Sequence, residues 1–261
     1  QGYEEGTIQL HDYDGEVESD LTAACLEVAT EDPLGAYAVD YIKHESGRVV
    51  SYYQARLSIS YRHTQEEVRS MVNVTGSGAI RAELQDALSR FDDRVVLRVA
   101  YFAEDEDSIR ALVRQAYYDT PAAALGMPQV EISLYPDAGR ERVVEILLTY
   151  DLTPEELRRR SETIAAHLAE FTYPWDMDRE AAVRQAAAEV CYRADFDPQG
   201  GSTAYAALVE GSADTEGLSL TYALVCRELS GVTCEIIEGT LNGEPHFWNE
   251  VRLTARGETF Y

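Results

Sequence analysis

Two motifs near the end of the chain, in a fixed order of elements, constrain its folding more than any other feature. The run Gly211-Ser212-Ala213-Asp214-Thr215-Glu216-Gly217 is a turn of small and acidic residues, and an apolar helix follows it through Leu229. Ser230-Gly231 breaks that helix, Thr233–Glu238 reads as a strand, and Asn242-Gly243 is a turn. His246-Phe247-Trp248-Asn249-Glu250-Val251 then makes a second strand. Strand alternation puts His246, Trp248 and Glu250 on one side and Phe247, Asn249 and Val251 on the other. The apolar helix must be covered, and the hairpin that follows it is the nearest surface to do so.

The bulk numbers narrow the partners. The chain has 261 residues, long enough for two compact units, and 45% of them are hydrophobic. There are 47 Asp and Glu against 22 Lys and Arg, a net charge of -25. That field repels phosphate backbones and anionic membrane surfaces, so nucleic acid is not an expected partner. No apolar run is long enough for a transmembrane segment. Gln1–Asp20 carries seven acids and no Lys or Arg, as a solvated tether would. An extracellular or cell-surface location is the expectation, with a cytoplasmic one as its alternative. Cys25, Cys191, Cys226 and Cys234 fit neither a zinc pattern nor a redox CxxC, and read mostly as small buried residues. No motif implies a metal or an organic cofactor. The run Glu104-Asp105-Glu106-Asp107 lacks the spacing of a calcium loop and suits a solvated helix start. His44 and His63 stand alone and read as structural or exposed.

Before the C-terminal motifs, strands and helices alternate. Thr7–Leu10, Ala55–Tyr61, Val95–Phe102, Gln129–Tyr135 and Arg142–Tyr150 read as strands. Ala79–Phe91, Asp105–Tyr118, Glu155–Phe171 and Arg179–Arg193 read as helices, and Asp195–Gly201 as a loop. Two strand-to-helix junctions look alike. Ser58–Arg69 and Leu147–Arg158 each run from a β-prone stretch ending in Tyr, through Thr, into a charged helix start. Thr64 with Glu67, and Thr153 with Glu156, have capping-box spacing. Duplication and convergent helix-start chemistry both account for this. The expected class is α+β. A mixed α/β domain over 1–173, ending near Tyr173-Pro174-Trp175, precedes a second domain over 174–261 with a helix packed on an antiparallel sheet.

The stretch from Ser202 to Tyr261 resembles the core of the transglutaminase-like (papain-like) superfamily. The small-residue turn, the apolar helix and the HFWNEV strand carry the resemblance. It implies a nucleophile at position 215, His246 as its base, and an Asp on a following strand. That Asp is expected just past Tyr261. A helix N-terminus stabilises a thiolate, and the same N–H groups can hold an oxyanion. Here the position is Thr215, whose hydroxyl is far less acidic than a thiol. Cys226 lies about 16 Å further along the helix axis and cannot stand in, and Cys234 reads as packing.

The expected site is therefore Thr215 and His246 in the catalytic positions, with Tyr205, Asp214, Glu216, Trp248 and Asn249 lining the cleft. The leading expectation is a catalytically degenerate member that binds a peptide, glycan or protein ligand. The alternative is an active peptidase or acyltransferase whose nucleophile has been replaced by Thr215. A further reading gives the working role, as an adhesion or scaffold module, to the N-terminal α/β region.

Overall fold

Strand alternation and helix-start signals become elements with small shifts at their ends. The computed structural model describes residues 2–101, 105–174, 176–255 and 258–260. Phe102, Glu104, Trp175 and Tyr261, which figure in the expectations above, lie outside them. The chain is α+β and divides into two compact units. The first is built from 1–80, 94–110 and 131–147, and the second from 81–93, 111–130 and 148–261. The second unit thus takes in three stretches of the segment expected to form the first domain.

In the first unit β1 (Glu5–His11) is followed by α1 (Val17–Thr30), α2 (Pro33–Ala38), β2 (Val39–Val49) and β3 (Tyr52–Tyr61). The three strands form an antiparallel sheet in the order β1-β3-β2. Next along the chain come α3 (Gln65–Ser70), β4 (Val72–Thr75), α4 (Gly76–Arg90), β5 (Arg94–Ala100), α5 (Glu106–Tyr118), β6 (Gln129–Tyr135) and β7 (Glu141–Thr149), the larger parts of α4 and α5 belonging to the second unit. Their strands make a mixed sheet, β4-β5-β7-β6. β4 runs parallel to β5, and β5 antiparallel to β7. Val143, Val144 and Ile146 of β7 are fully buried, as expected for a strand covered on both faces.

The junction at Thr64 closes a full capping box. The Thr64 hydroxyl accepts from Glu67 N–H at 3.2 Å, and the Glu67 carboxylate accepts from Thr64 N–H at 2.8 Å. That carboxylate also receives Arg94 at 2.6 Å. Arg94 in turn pairs with Glu145 at 2.6 Å and donates to the Tyr37 hydroxyl at 2.8 Å. The Tyr37 ring is fully buried and stacks on His63 at 4.1 Å, and burial pushes its hydroxyl up to about 12. A polar cluster at the edge of the core thus gathers two carboxylates and a phenol around one guanidinium.

The second unit holds α6 (Pro154–Leu168), α7 (Arg179–Arg193), β8 (Asp195–Gly201), β9 (Ser212–Ala213), α8 (Thr215–Arg227), β10 (Val232–Leu241), β11 (Glu244–Ala255) and β12 (Glu258–Phe260). The strands β10, β11 and β12 form an antiparallel sheet, and α8 packs on β10 and β11. Val225 and Leu229 at the end of α8 share a core with Ala182, Ala186 and Val190 of α7. The expected loop at Asp195–Gly201 is a strand. β8 pairs in parallel with β9, Asp195 against Ser212 and Phe196 against Ala213. Its residues are nearly all exposed, so no apolar alternation marked it. Among the described residues no helix is long and apolar enough to cross a membrane.

Candidate functional site

The site begins at the start of α8. A π-helical turn, Ala206–Glu210, ends at Gly211, and β9 leads the chain to Asp214. Asp214 caps the helix, accepting from Gly217 N–H at 2.9 Å, while the Ser202 hydroxyl donates to its other oxygen at 2.5 Å. Gly217 has no room for a side chain. A Cβ there would lie 2.7 Å from the Gly201 carbonyl oxygen and 2.8 Å from Ala213 Cβ. The small residues of this turn are therefore what lets the helix start press against the β8 segment.

Thr215, the first residue of α8, meets β11 through the backbone. Its hydroxyl oxygen accepts from Phe247 N–H at 3.2 Å. The register of the hairpin shows which side of β11 faces the helices. Asn249 Nδ2 donates to the Ser219 carbonyl of α8 at 3.0 Å and contacts Cys234 Sγ at 3.4 Å. The Phe247 ring lies 5.8 Å from that of Tyr118 on α5. Phe247 and Asn249 thus form the packed side. His246 and Trp248 alternate to the other, with their rings 6.1 Å apart. Among the described residues no hydrogen bond joins Thr215 to His246.

Thr215 and His246 nonetheless line one open cleft of about 360 Å³, together with Asn249. Its walls are mostly apolar: Val190 and Cys191 from α7, Phe196 from β8, Leu218 and Tyr222 from α8. The other expected cleft residues have other positions. Asp214 is the cap. Tyr205 lies under the Arg160 guanidinium at 4.5 Å. Trp248 is 43% exposed, with its indole against Gly239, where a Cβ would come within 2.5 Å of the ring.

Glu216 accepts from the Tyr118 hydroxyl at 3.1 Å. Burial lifts its carboxyl to about 7, and the negative charges of Asp214 and Glu238 add to the rise. The Tyr118 hydrogen bond and Arg114, which is paired with Glu238, pull the other way. Burial wins because only one hydroxyl replaces the water that the carboxylate has lost.

Sequence reasoning did not single out Cys191, Phe196 or Tyr222. Cys191 was read with the other cysteines as a small buried residue; of the four, Cys226 alone is buried, and Cys191 is exposed. Periodicity identifies α7 as a helix but does not say which of its residues border a cleft.

A hydroxyl that accepts from a main-chain N–H keeps its own proton free to donate to a ligand. Deprotonation would need a base within hydrogen-bond reach. Among the described residues no group of three or more His, Cys, Asp or Glu side chains could hold a metal ion. No protein-family model matches the chain, and no curated protein does. Among solved structures, one described as "Crystal structure of a TGase" is similar over 98% of this chain and 77% of that one, at 12% identity and a TM-score of 0.30. A likeness at that level carries no argument about activity.

Proposed function

We propose that the protein is a catalytically degenerate member of the transglutaminase-like superfamily, whose cleft at the start of α8 binds a peptide segment of a partner protein. One observation carries this reading: the hydroxyl at the nucleophile position is tied to the Phe247 main chain at 3.2 Å and not to the imidazole. The apolar walls suit a side chain such as Leu, Phe or Tyr, and the net charge of -25 favours basic residues beside it.

The test uses a library of short peptides carrying one apolar or aromatic residue between lysines or arginines, read by fluorescence polarisation. Binding is expected, and Leu218→Trp, which fills the cleft, weakens it at least tenfold. His246→Ala leaves the affinity within a factor of about three, equivalent to under 1 kcal/mol. Turnover of an amine or peptide substrate by the unaltered chain, abolished by His246→Ala, would overturn the proposal.

A second reading, an active peptidase or acyltransferase with its nucleophile replaced, is favoured by the presence of His246 in the same cleft. It predicts that Thr215→Cys gains acyl transfer and rapid alkylation by iodoacetamide at neutral pH. Under the binding reading, the introduced thiol alkylates no faster than Cys191.

A further inference from the structure

Glu216 stands beside the cleft and is tied to two of the residues that line it. It follows Thr215 on α8, and its Oε1 accepts from the Tyr118 hydroxyl at 3.1 Å. The Tyr118 ring lies 5.8 Å from that of Phe247, whose N–H reaches the Thr215 hydroxyl at 3.2 Å. Thr215 and Phe247 both line the cleft. These contacts close a circuit through α5, β11 and the start of α8.

The neighbouring acids are already matched. Asp214 accepts from the Gly217 N–H on one oxygen and from the Ser202 hydroxyl on the other. Glu238 of β10 is paired with Arg114 of α5. Glu216 differs, because Tyr118 bonds one of its oxygens and no donor among the described residues reaches the other. Tyr117, which α5 also brings, is buried, and its hydroxyl accepts from the Gly126 N–H at 3.2 Å. The titratable groups of the cleft wall itself are Cys191, Tyr222 and His246. An apolar cleft with one open carboxylate oxygen beside it suits a ligand that carries an apolar side chain next to a cation.

We propose that Glu216 is the specificity-determining residue of the cleft: its ionised carboxylate receives the basic side chain of the ligand, so that binding is switched on as pH rises. This rests on the peptide-binding reading above and names the group that selects the basic residue. In the free protein the carboxyl is hard to ionise, since burial lifts it to about 7. A lysine or arginine arriving at Oε2 offsets that burial, and the carboxyl gives its proton to solvent. A ligand that lowers the value in this way binds more tightly as pH rises through about 7, and its affinity levels off above that. A neutral ligand has no such slope.

The experiment measures affinity by fluorescence polarisation on the full chain, from about pH 5.5 to about pH 8.5. The probe is a rhodamine-labelled, C-terminally amidated peptide with one leucine flanked by lysines, in which nothing titrates over that range. Its affinity is expected to rise about fivefold between pH 6 and pH 8. Glu216→Gln flattens the profile to within about twofold. Tyr118→Phe keeps the ring against Phe247 but removes the hydroxyl that favours the ionised carboxylate, and moves the midpoint about half a pH unit higher. His246→Gln, whatever its affinity at pH 8, keeps the rise. The same peptide with glutamines in place of lysines shows a rise of less than about twofold. A flat profile for the unaltered chain, a rise retained in Glu216→Gln, a rise lost in His246→Gln, or an equal rise for the glutamine peptide would each overturn the proposal. Absence of binding at every pH would overturn the peptide-binding reading and this one with it. If Glu216→Gln does not fold, proton release on binding at pH 7, measured by calorimetry in phosphate and in Tris on the His246→Gln chain, reads the same linkage. Release is expected, and its absence overturns the proposal.

Discussion

Glu67 and Glu216 both sit in the first turn of a helix, where the helix dipole favours a negative charge, yet they titrate in opposite directions. Glu67 is held down at about 2, first by the Thr64 N–H and then by Arg94 and the Thr64 hydroxyl. Glu216 is raised to about 7, first by burial and then by Asp214 and Glu238. The dipole is common to both and does not decide either. What differs is the number of donors aimed at the carboxylate. Glu67 receives two from Thr64 and one from Arg94, whereas one tyrosine hydroxyl reaches Glu216. In this molecule a helix start is only as hospitable to charge as the side chains around it. The same weakness bears on position 215, where the dipole alone would have to activate a threonine.

The widest break in this comparison is expected from Arg94→Met. It leaves Glu67, Glu145 and Tyr37 facing one another without their cation, and should cost about 3 kcal/mol in urea unfolding at pH 7. A cost below about 1 kcal/mol would reduce the cluster to solvated surface pairs.

Glu216→Gln comes next. A carboxyl whose folded value lies above its unfolded one stabilises the fold at low pH, and that contribution is lost as pH rises from about 4.5 through about 7. At pH 8 the native state carries the ionised, half-buried carboxylate. The glutamine variant should therefore be more stable there by about 2 kcal/mol, after allowance for screening. The two proteins should converge near pH 4. Parallel stability curves across that range would remove the contrast with Glu67. The Glu67 carboxylate has the opposite sign, its contribution being present above about 4.5 and lost as pH falls toward 2.

The smallest effects separate the two look-alike junctions. Thr64→Ala should cost about 1 kcal/mol, and Thr153→Ala about half of that. Only Thr64 is in a reciprocal box. The Thr153 hydroxyl accepts from Glu156 N–H at 3.3 Å, but the Glu156 carboxylate turns to Arg159 and Arg160. Equal costs in thermal unfolding would mean that the reciprocal bond contributes nothing.

These junctions also show what the amino-acid sequence makes legible. Threonine three residues before glutamate, after a β-prone run, marks both helix starts, because the signal is local and the groups that satisfy it are neighbours. The helix through Leu229, the Asn242-Gly243 turn and the alternation around His246 are legible for the same reason. What each carboxylate does next is local in one case and not in the other. Glu67 finds Arg94, and Glu156 finds arginines on its own helix. β8 escaped because its residues are nearly all exposed, so no apolar alternation marked it. α1 escaped because its inward face is narrow, Val17 buried with Leu21, Cys25 and Ala29 half-buried behind it, while Leu26 and Val28 are apolar and exposed and blur the period. At the site, the motif brings Thr215 and His246 to one cleft. It does not say that the hydroxyl would be taken by the Phe247 N–H, since that depends on where the helix start meets the strand.

The indole of Trp248 over Gly239 has a consequence for how the hairpin is assembled. Trp248 pairs with Ile237, so Gly239 is its diagonal neighbour. A slip of two residues would preserve the faces of both strands, and apolar patterning alone would tolerate it. It would also bring Ile237 or Leu241 beneath the ring where only a glycine fits. The pair thus acts as a keyed slot, admitting one alignment of β10 with β11 and so fixing where along the strand His246 and Asn249 arrive.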